Sequence, residues 1–217
     1  MAALKVISVP QSEAEFRTAL DEGMSLSEIR SDFYTVEEEI TKEISLMAEL
    51  KGTSYVVSHE DHEEITHQDG IGWDILIRME KLTPLMTYAY ENPFTRRDII
   101  QIGIDICKAL ELCQEYHIIH RDIKPENIFV SKRGGFKLGD FGIARTVERT
   151  MSGLSKKGTY NYMAPEVYRG DDYGYSADIC SLGLVLYRLL NRNRLPFQPP
   201  APERLTTRIR EEAPVIE

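Results

Sequence analysis

The chain has 217 residues, of which 42% are hydrophobic and 28% charged, and a formal net charge of −9 at pH 7. This composition is typical of a soluble globular protein and excludes disordered and collagen-like classes. Because nucleic-acid phosphates attract clustered lysine and arginine, the negative charge argues against nucleic acid as a partner.

Cysteine usage and hydropathy narrow the class further. Cys107, Cys113 and Cys180 lie in apolar helical patterns without metal-ligand spacing, so we expect small core residues in a reducing, cytoplasmic compartment. The longest apolar stretch, residues 179–190, is interrupted by Arg188 and is shorter than the roughly 20 residues that span a bilayer. We therefore expect no membrane segment.

Residues 1–80 predict a small β-rich lobe that carries one principal helix. Strands are expected at residues 4–9, 55–57 and 75–79. The acidic, histidine-containing stretch 59–67 between the last two indicates a solvated turn, and no metal is assigned to it.

Helices are expected between the first two of these strands. Ser12 opens a short helix that Gly23 closes. Thr35 and Glu38 form a capping box that predicts the start of the principal helix, whose apolar residues recur at helical spacing as far as Leu50.

The remaining sequence is mostly helical. Thr95 and Asp98 predict the start of a helix that ends near His117. Residues 128–131 and 136–139 predict a hairpin with a glycine turn. The segment 176–191 is apolar nearly all round, which is typical of a helix buried at the centre of a domain.

A string of polar residues surrounds this hairpin. Residues 120–127 read His-Arg-Asp-Ile-Lys-Pro-Glu-Asn, and Asp140-Phe141-Gly142 follows the second strand. Since antiparallel pairing closes the open ends of a hairpin together, Asn127 and Asp140 should supply oxygen ligands to one Mg²⁺. Asp122 should face the same cavity.

These motifs resemble the catalytic domain of eukaryotic-type serine/threonine protein kinases, and their phrasing is most similar to bacterial members. The resemblance implies an α+β, bilobal fold with a small β-rich lobe and a larger helical lobe. It assigns residues 1–82 to the first lobe and 83–217 to the second, both incomplete. We expect a chain truncated at both ends, without the glycine-rich loop of the family.

The resemblance implies catalytic and nucleotide-binding roles for several residues. Asp122 accepts the proton of the substrate hydroxyl, and Lys124 neutralises the transferred phosphate. Asn127 and Asp140 hold Mg²⁺. Lys5 binds the phosphates of ATP and pairs with Glu43. Further nucleotide contacts fall on Ala3, Met79, Glu80, Leu82 and Phe129.

Residues 140–166 match the activation segment of the family. The main phosphorylation site of the family corresponds to Ser155, with Thr150 and Ser152 as alternatives. Arg121 suggests a pocket that binds the phosphorylated side chain. Thr159 is expected to bond the catalytic loop, and Glu166 closes the segment.

Other matched residues are structural. His120 and Phe141 are expected to stack with Met47 of the principal helix. Asp178 matches the N-terminal aspartate of a central helix that supports the catalytic loop.

The resemblance also implies a partner, a protein substrate with a serine or threonine acceptor. A non-catalytic, pseudokinase-like scaffold and a small-molecule phosphotransferase are the alternatives. Retention of the full catalytic set argues against the scaffold, and the Ala-Pro-Glu sequence at 164–166 argues against the phosphotransferase.

Overall fold

The computed structural model describes residues 2–68, 70–141, 159–191 and 193–196. Contacts divide them into two compact units. The sheet unit holds residues 2–53 and 57–81 with Phe141, and the helical unit holds residues 54–56, 82–140 and the described residues from Thr159 onward. The α+β class expected from the sequence is confirmed.

The sheet unit is built on three antiparallel strands in the order β1-β3-β2. They are β1 (Ala2–Val9), β2 (His59–Thr66) and β3 (Trp73–Glu80). Ile75 and Ile77 are fully buried, whereas Leu4 and Val6 on β1 are exposed. One face of the sheet therefore contributes to the core, as strict alternation along a strand requires.

Two expectations for this sheet are wrong. The acidic stretch 59–64 is part of β2, because it pairs along β3 while most of its carboxylates point to solvent. Residues 55–57 form no strand, and Val56 makes only an isolated bridge to Leu138.

Two helices precede β2, α1 (Glu13–Asp21) and α2 (Leu26–Glu49). Ser12 caps α1 as expected. The predicted start of the principal helix at Thr35 is wrong, because the capping box is formed by Ser25 and Glu28. Thr35 lies inside α2 and donates its hydroxyl proton to the carbonyl of Ser31, a bond that helices tolerate.

The helical unit contains α3 (Leu85–Glu91), α4 (Arg96–Glu115), α5 (Pro165–Arg169) and α6 (Ser176–Leu190). Its small sheet has the order β4-β5-β6, with β4 (Thr83–Pro84), β5 (Ile128–Val130) and β6 (Phe136–Leu138). The predicted capping box of α4 and the predicted hairpin are both confirmed. None of the helices in the described ranges is long and apolar enough to cross a membrane.

The core of this unit differs from expectation in two places. The expected burial of α6 on all sides is wrong. Ile179 is exposed, and the buried residues of the helix include the polar Asp178 and Ser181. Cys113 is a core residue, and burial raises the pKa of its thiol to about 12. Cys107 is exposed, so the core assignment was wrong for it.

Asp105 joins α4 to the hairpin. It lies on the buried stripe of α4 and is only 5% exposed. One carboxylate oxygen accepts the backbone N–H of Phe136 at 3.0 Å, and the other accepts the Gln101 amide at 2.8 Å. The hairpin is thereby fixed to the helix by a charge-assisted hydrogen bond.

Replacement of Asp105 by alanine should lower the free energy of unfolding by about 1–3 kcal/mol, because it leaves the buried N–H of Phe136 without an acceptor. Chemical denaturation measures the change. The exposed Glu111 on the same helix provides the control, and Glu111→Ala should have little effect. Equal effects of the two variants would contradict this role for Asp105.

Candidate active site

Asp178 holds the start of the loop formed by residues 120–127. It lies in the first turn of α6 and is 3% exposed. Its two carboxylate oxygens accept the backbone N–H groups of His120 and Arg121, each at 2.8 Å. Arg121 has a left-handed backbone with φ of 65°. Such a conformation costs on the order of 1–3 kcal/mol, and the two charge-assisted bonds offset that cost.

His120 is fully buried, and both nitrogen atoms of its ring form hydrogen bonds. Its Nδ1 lies 3.3 Å from the backbone nitrogen of Asp122, which donates to it. Its Nε2 lies 3.1 Å from the carbonyl oxygen of Gly139, so Nε2 carries the ring proton. Burial lowers the pKa of His120, although Asp178 opposes this effect. The ring is therefore a neutral, hydrogen-bonded core histidine.

Asp122, Lys124 and Asn127 form a compact polar cluster. The Asp122 carboxylate oxygen Oδ2 lies 2.7 Å from Nζ of Lys124 and 3.0 Å from Nδ2 of Asn127. The same Asn127 amide donates to the Asp122 carbonyl at 2.8 Å. The carboxylate is thus held in one orientation by two donors, and its side chain remains 13% exposed.

The hairpin brings Asp140 to this cluster. The backbone N–H of Gly139 donates to the carbonyl of Asn127 at 2.9 Å. Asp140 follows directly, with a left-handed backbone of φ 58° that aspartate adopts more readily than most residues.

The donor set suits a hard cation that is shared with phosphate. Because Nδ2 of Asn127 bonds Asp122, the amide oxygen remains as an acceptor, and Asp140 adds carboxylate oxygens. The described residues contain no group of three or more histidine, cysteine or acidic side chains that could hold a metal ion. Mg²⁺ commonly binds through one or two protein ligands together with substrate phosphates, which fits this set.

Comparisons with known proteins identify the family. The family model described as a protein kinase domain matches residues 21–216. The chain belongs to the protein kinase family.

Named relatives of this kinase chain are serine/threonine kinases. PknB of Mycolicibacterium smegmatis is 32% identical over 153 residues, which is 69% of this chain and 24% of that protein. PknB of Mycobacterium tuberculosis is 38% identical over 116 residues, 52% of this chain and 18% of that protein. A probable serine/threonine kinase of Dictyostelium discoideum is 42% identical over 92 residues, 42% of this chain and 10% of that protein. The matched region thus spans less than a quarter of each relative.

The kinase residues predicted to bind nucleotide lie partly in the sheet unit. Ala3 and Lys5 stand on β1 opposite Met79 and Ile77 of β3. The Glu80 carboxylate accepts the backbone N–H of Ser58 at 2.7 Å, so this side chain is fixed at the end of β3.

Other predicted positions are distributed over both units. Glu43 lies on α2 with its Oε2 atom enclosed, and its pairing with Lys5 stays a prediction. Met47 and Phe141 are buried, and their predicted stacking with His120 also stays a prediction. Leu82 and Phe129 are half-buried in the helical unit.

Much of the predicted activation segment lies outside the described residues. Thr150, Ser152 and Ser155 fall there, and the described chain resumes at the 3-10 turn Thr159–Tyr162. Glu166 lies in the first turn of α5.

The sequence did not predict a hydrogen bond between α6 and the 3-10 turn Thr159–Tyr162. Arg188 of α6 donates to the Tyr162 hydroxyl. An arginine inside an apolar helical stripe is the signal that could have found it.

The tautomer of His120 is directly testable. Long-range ¹H–¹⁵N spectra at pH 6 should show a neutral ring that is protonated at Nε2, because burial disfavours the charged form. Since the pKa of His120 is lowered in the folded state, its neutral form contributes stability above pH 6.5 that is lost as the pH falls. A doubly protonated ring at pH 6, or a proton on Nδ1, would contradict the assigned network.

Proposed function

We propose that this chain carries the catalytic loop of a serine/threonine protein kinase, which transfers a phosphoryl group from Mg-ATP to a serine or threonine hydroxyl of a protein. The supporting observation is the Asp122 cluster. A carboxylate oriented by a lysine and an asparagine, next to a second carboxylate on a hairpin end, is the set that phosphoryl transfer requires.

Asp122 accepts the proton of the substrate hydroxyl in this proposal. The bonds from Lys124 and Asn127 fix its carboxylate, and its partial exposure leaves room for a substrate to approach. Nζ of Lys124 lies 2.7 Å from Oδ2 of Asp122. In this proposal, its positive charge balances negative charge that develops on the transferred phosphoryl group.

Asn127 and Asp140 are the residues that would hold Mg²⁺. The bound cation would neutralise phosphate charge and orient the group for in-line transfer. We further propose that Lys5 of the sheet unit contacts the nucleotide phosphates and pairs with Glu43, and that Ala3 and Met79 contact the adenine.

Loss of the proposed base should abolish most of the activity. Asp122→Asn should lower kcat by at least about 100-fold in transfer of labelled phosphate to casein and histone, because the amide cannot accept the proton. The exposed Asp172 of the same unit provides the control, and Asp172→Asn should retain activity. Undiminished transfer by Asp122→Asn, or no transfer by the unaltered protein, would contradict the proposed function.

Phosphorylation of the activation segment is a second proposal for this site. Ser155, Thr150 and Ser152 supply hydroxyls near the position that the family modifies, and Arg121 precedes the base. Replacing all three hydroxyl residues by alanine should reduce kcat and remove phosphate from this segment in mass spectrometry. Unchanged activity of the triple variant would rule the proposal out.

A further inference from the structure

An acidic pair joins α2 to β2 in the sheet unit. Glu37 of α2 is only 5% exposed, although it carries a carboxyl group. Glu64 of β2 faces it across the packing of helix and strand, with a side chain that is 38% exposed. Among the described residues, the neighbours that act on the pKa of Glu37 are Glu64, Thr41 and Glu38, and none of these three is a cation.

Thr41 lies between the two carboxyl groups. Its hydroxyl oxygen is 3.1 Å from Oε1 of Glu37 and 2.9 Å from Oε1 of Glu64. A hydroxyl has one proton and can donate it to only one of these oxygens. The second close approach is favourable only if one carboxyl group is protonated and donates a hydrogen bond in turn.

We propose that Glu37 and Glu64 share one titratable proton in addition to the hydroxyl proton of Thr41, and that loss of this carboxyl proton loosens the contact between α2 and β2. The cluster is thus a pH-sensitive device within the fold. It does not depend on the proposed phosphoryl transfer, although α2 also carries Glu43.

Burial identifies Glu37 as the group that keeps the proton. Burial raises the pKa of Glu37, and the neighbouring charge of Glu64 raises it further. A carboxyl group with a raised folded-state pKa contributes stability at low pH that is lost as the pH rises through that pKa. After ionisation of Glu37, two negatively charged carboxylates lie beside the hydroxyl of Thr41. Their mutual repulsion weakens the contact between α2 and β2.

Two histidines of β2 lie near the cluster. On β2, Nε2 of His62 lies 3.9 Å from Oε1 of Glu64, and the ring of His59 is tilted against that of His62 with centroids 5.6 Å apart. Burial lowers the pKa of His59, so its contribution to stability is lost as the pH falls. A transition caused by His59 therefore has the opposite sign.

Trp73 is a suitable reporter for this device. It is the only tryptophan of the chain, and its ring lies 5.9 Å from that of Tyr34, which stands one turn before Glu37 on α2. A movement of α2 should change the fluorescence of Trp73.

The experiment follows Trp73 fluorescence and thermal unfolding of the full chain between pH 5 and pH 8. The unaltered protein should show a reversible fluorescence transition. Glu37→Gln should abolish this transition and should melt a few degrees higher than the unaltered protein at pH 8, with a smaller difference at pH 5. Glu64→Gln should move the transition to lower pH, because its amide can donate to Glu37.

The matched control is Glu39→Gln, which changes an exposed residue of the same helix and should keep the transition. A transition that persists in Glu37→Gln, or a melting difference that shrinks as the pH rises, would overturn the proposal. The absence of any transition in the unaltered protein would overturn it as well.

Discussion

The position of the loop formed by residues 120–127 depends on one buried carboxylate. Asp178 accepts the N–H groups of both His120 and Arg121 from its place at the start of α6. These bonds fix the loop where its backbone turns left-handed, a conformation that a free chain rarely adopts at a residue with a side chain. The positions of Asp122 and the residues after it follow from this anchor.

The hydrogen bonds continue from Asp178 through the site. His120 links the loop to Gly139, and Gly139 is bonded in turn to Asn127, which orients Asp122. The groups that form this network of hydrogen bonds are mostly buried. Such a network is stable only when all of its partners are present, because a buried polar group without a partner is costly.

Buried aspartates serve the same purpose twice in the helical unit. Asp105 accepts a backbone N–H from β6, just as Asp178 accepts two from the loop. In both cases a helix presents a buried carboxylate to backbone N–H groups of another segment. The burial of charge is offset by charge-assisted bonds, and the loop at His120 and the hairpin are fixed to helices.

Local patterns predicted much of this fold, and competing patterns caused the errors. The hairpin and the capping box at Thr95 follow from short-range chemistry, so the sequence alone located them. The predicted helix start at Thr35 was wrong because Ser25 and Glu28 offer the same capping pattern. An unbroken apolar stripe follows Ser25, so the helix begins directly after that residue. The prediction of a solvated turn at 59–67 was wrong because the pairing of β2 with β3 is a long-range effect. Distances such as that between Asp122 and Lys124 depend on tertiary packing, and no sequence pattern gives them.

The central claim is that residues 120–140 form a site for a divalent cation and a nucleotide. Amide ¹H–¹⁵N spectra recorded during titration with Mn²⁺ and ATP measure this directly, since the paramagnetic ion broadens nearby signals. The account predicts selective broadening of Asp122, Asn127, Gly139 and Asp140, with Asp172 unaffected. Uniform broadening, or broadening confined to other acidic residues such as those of β2, would contradict it.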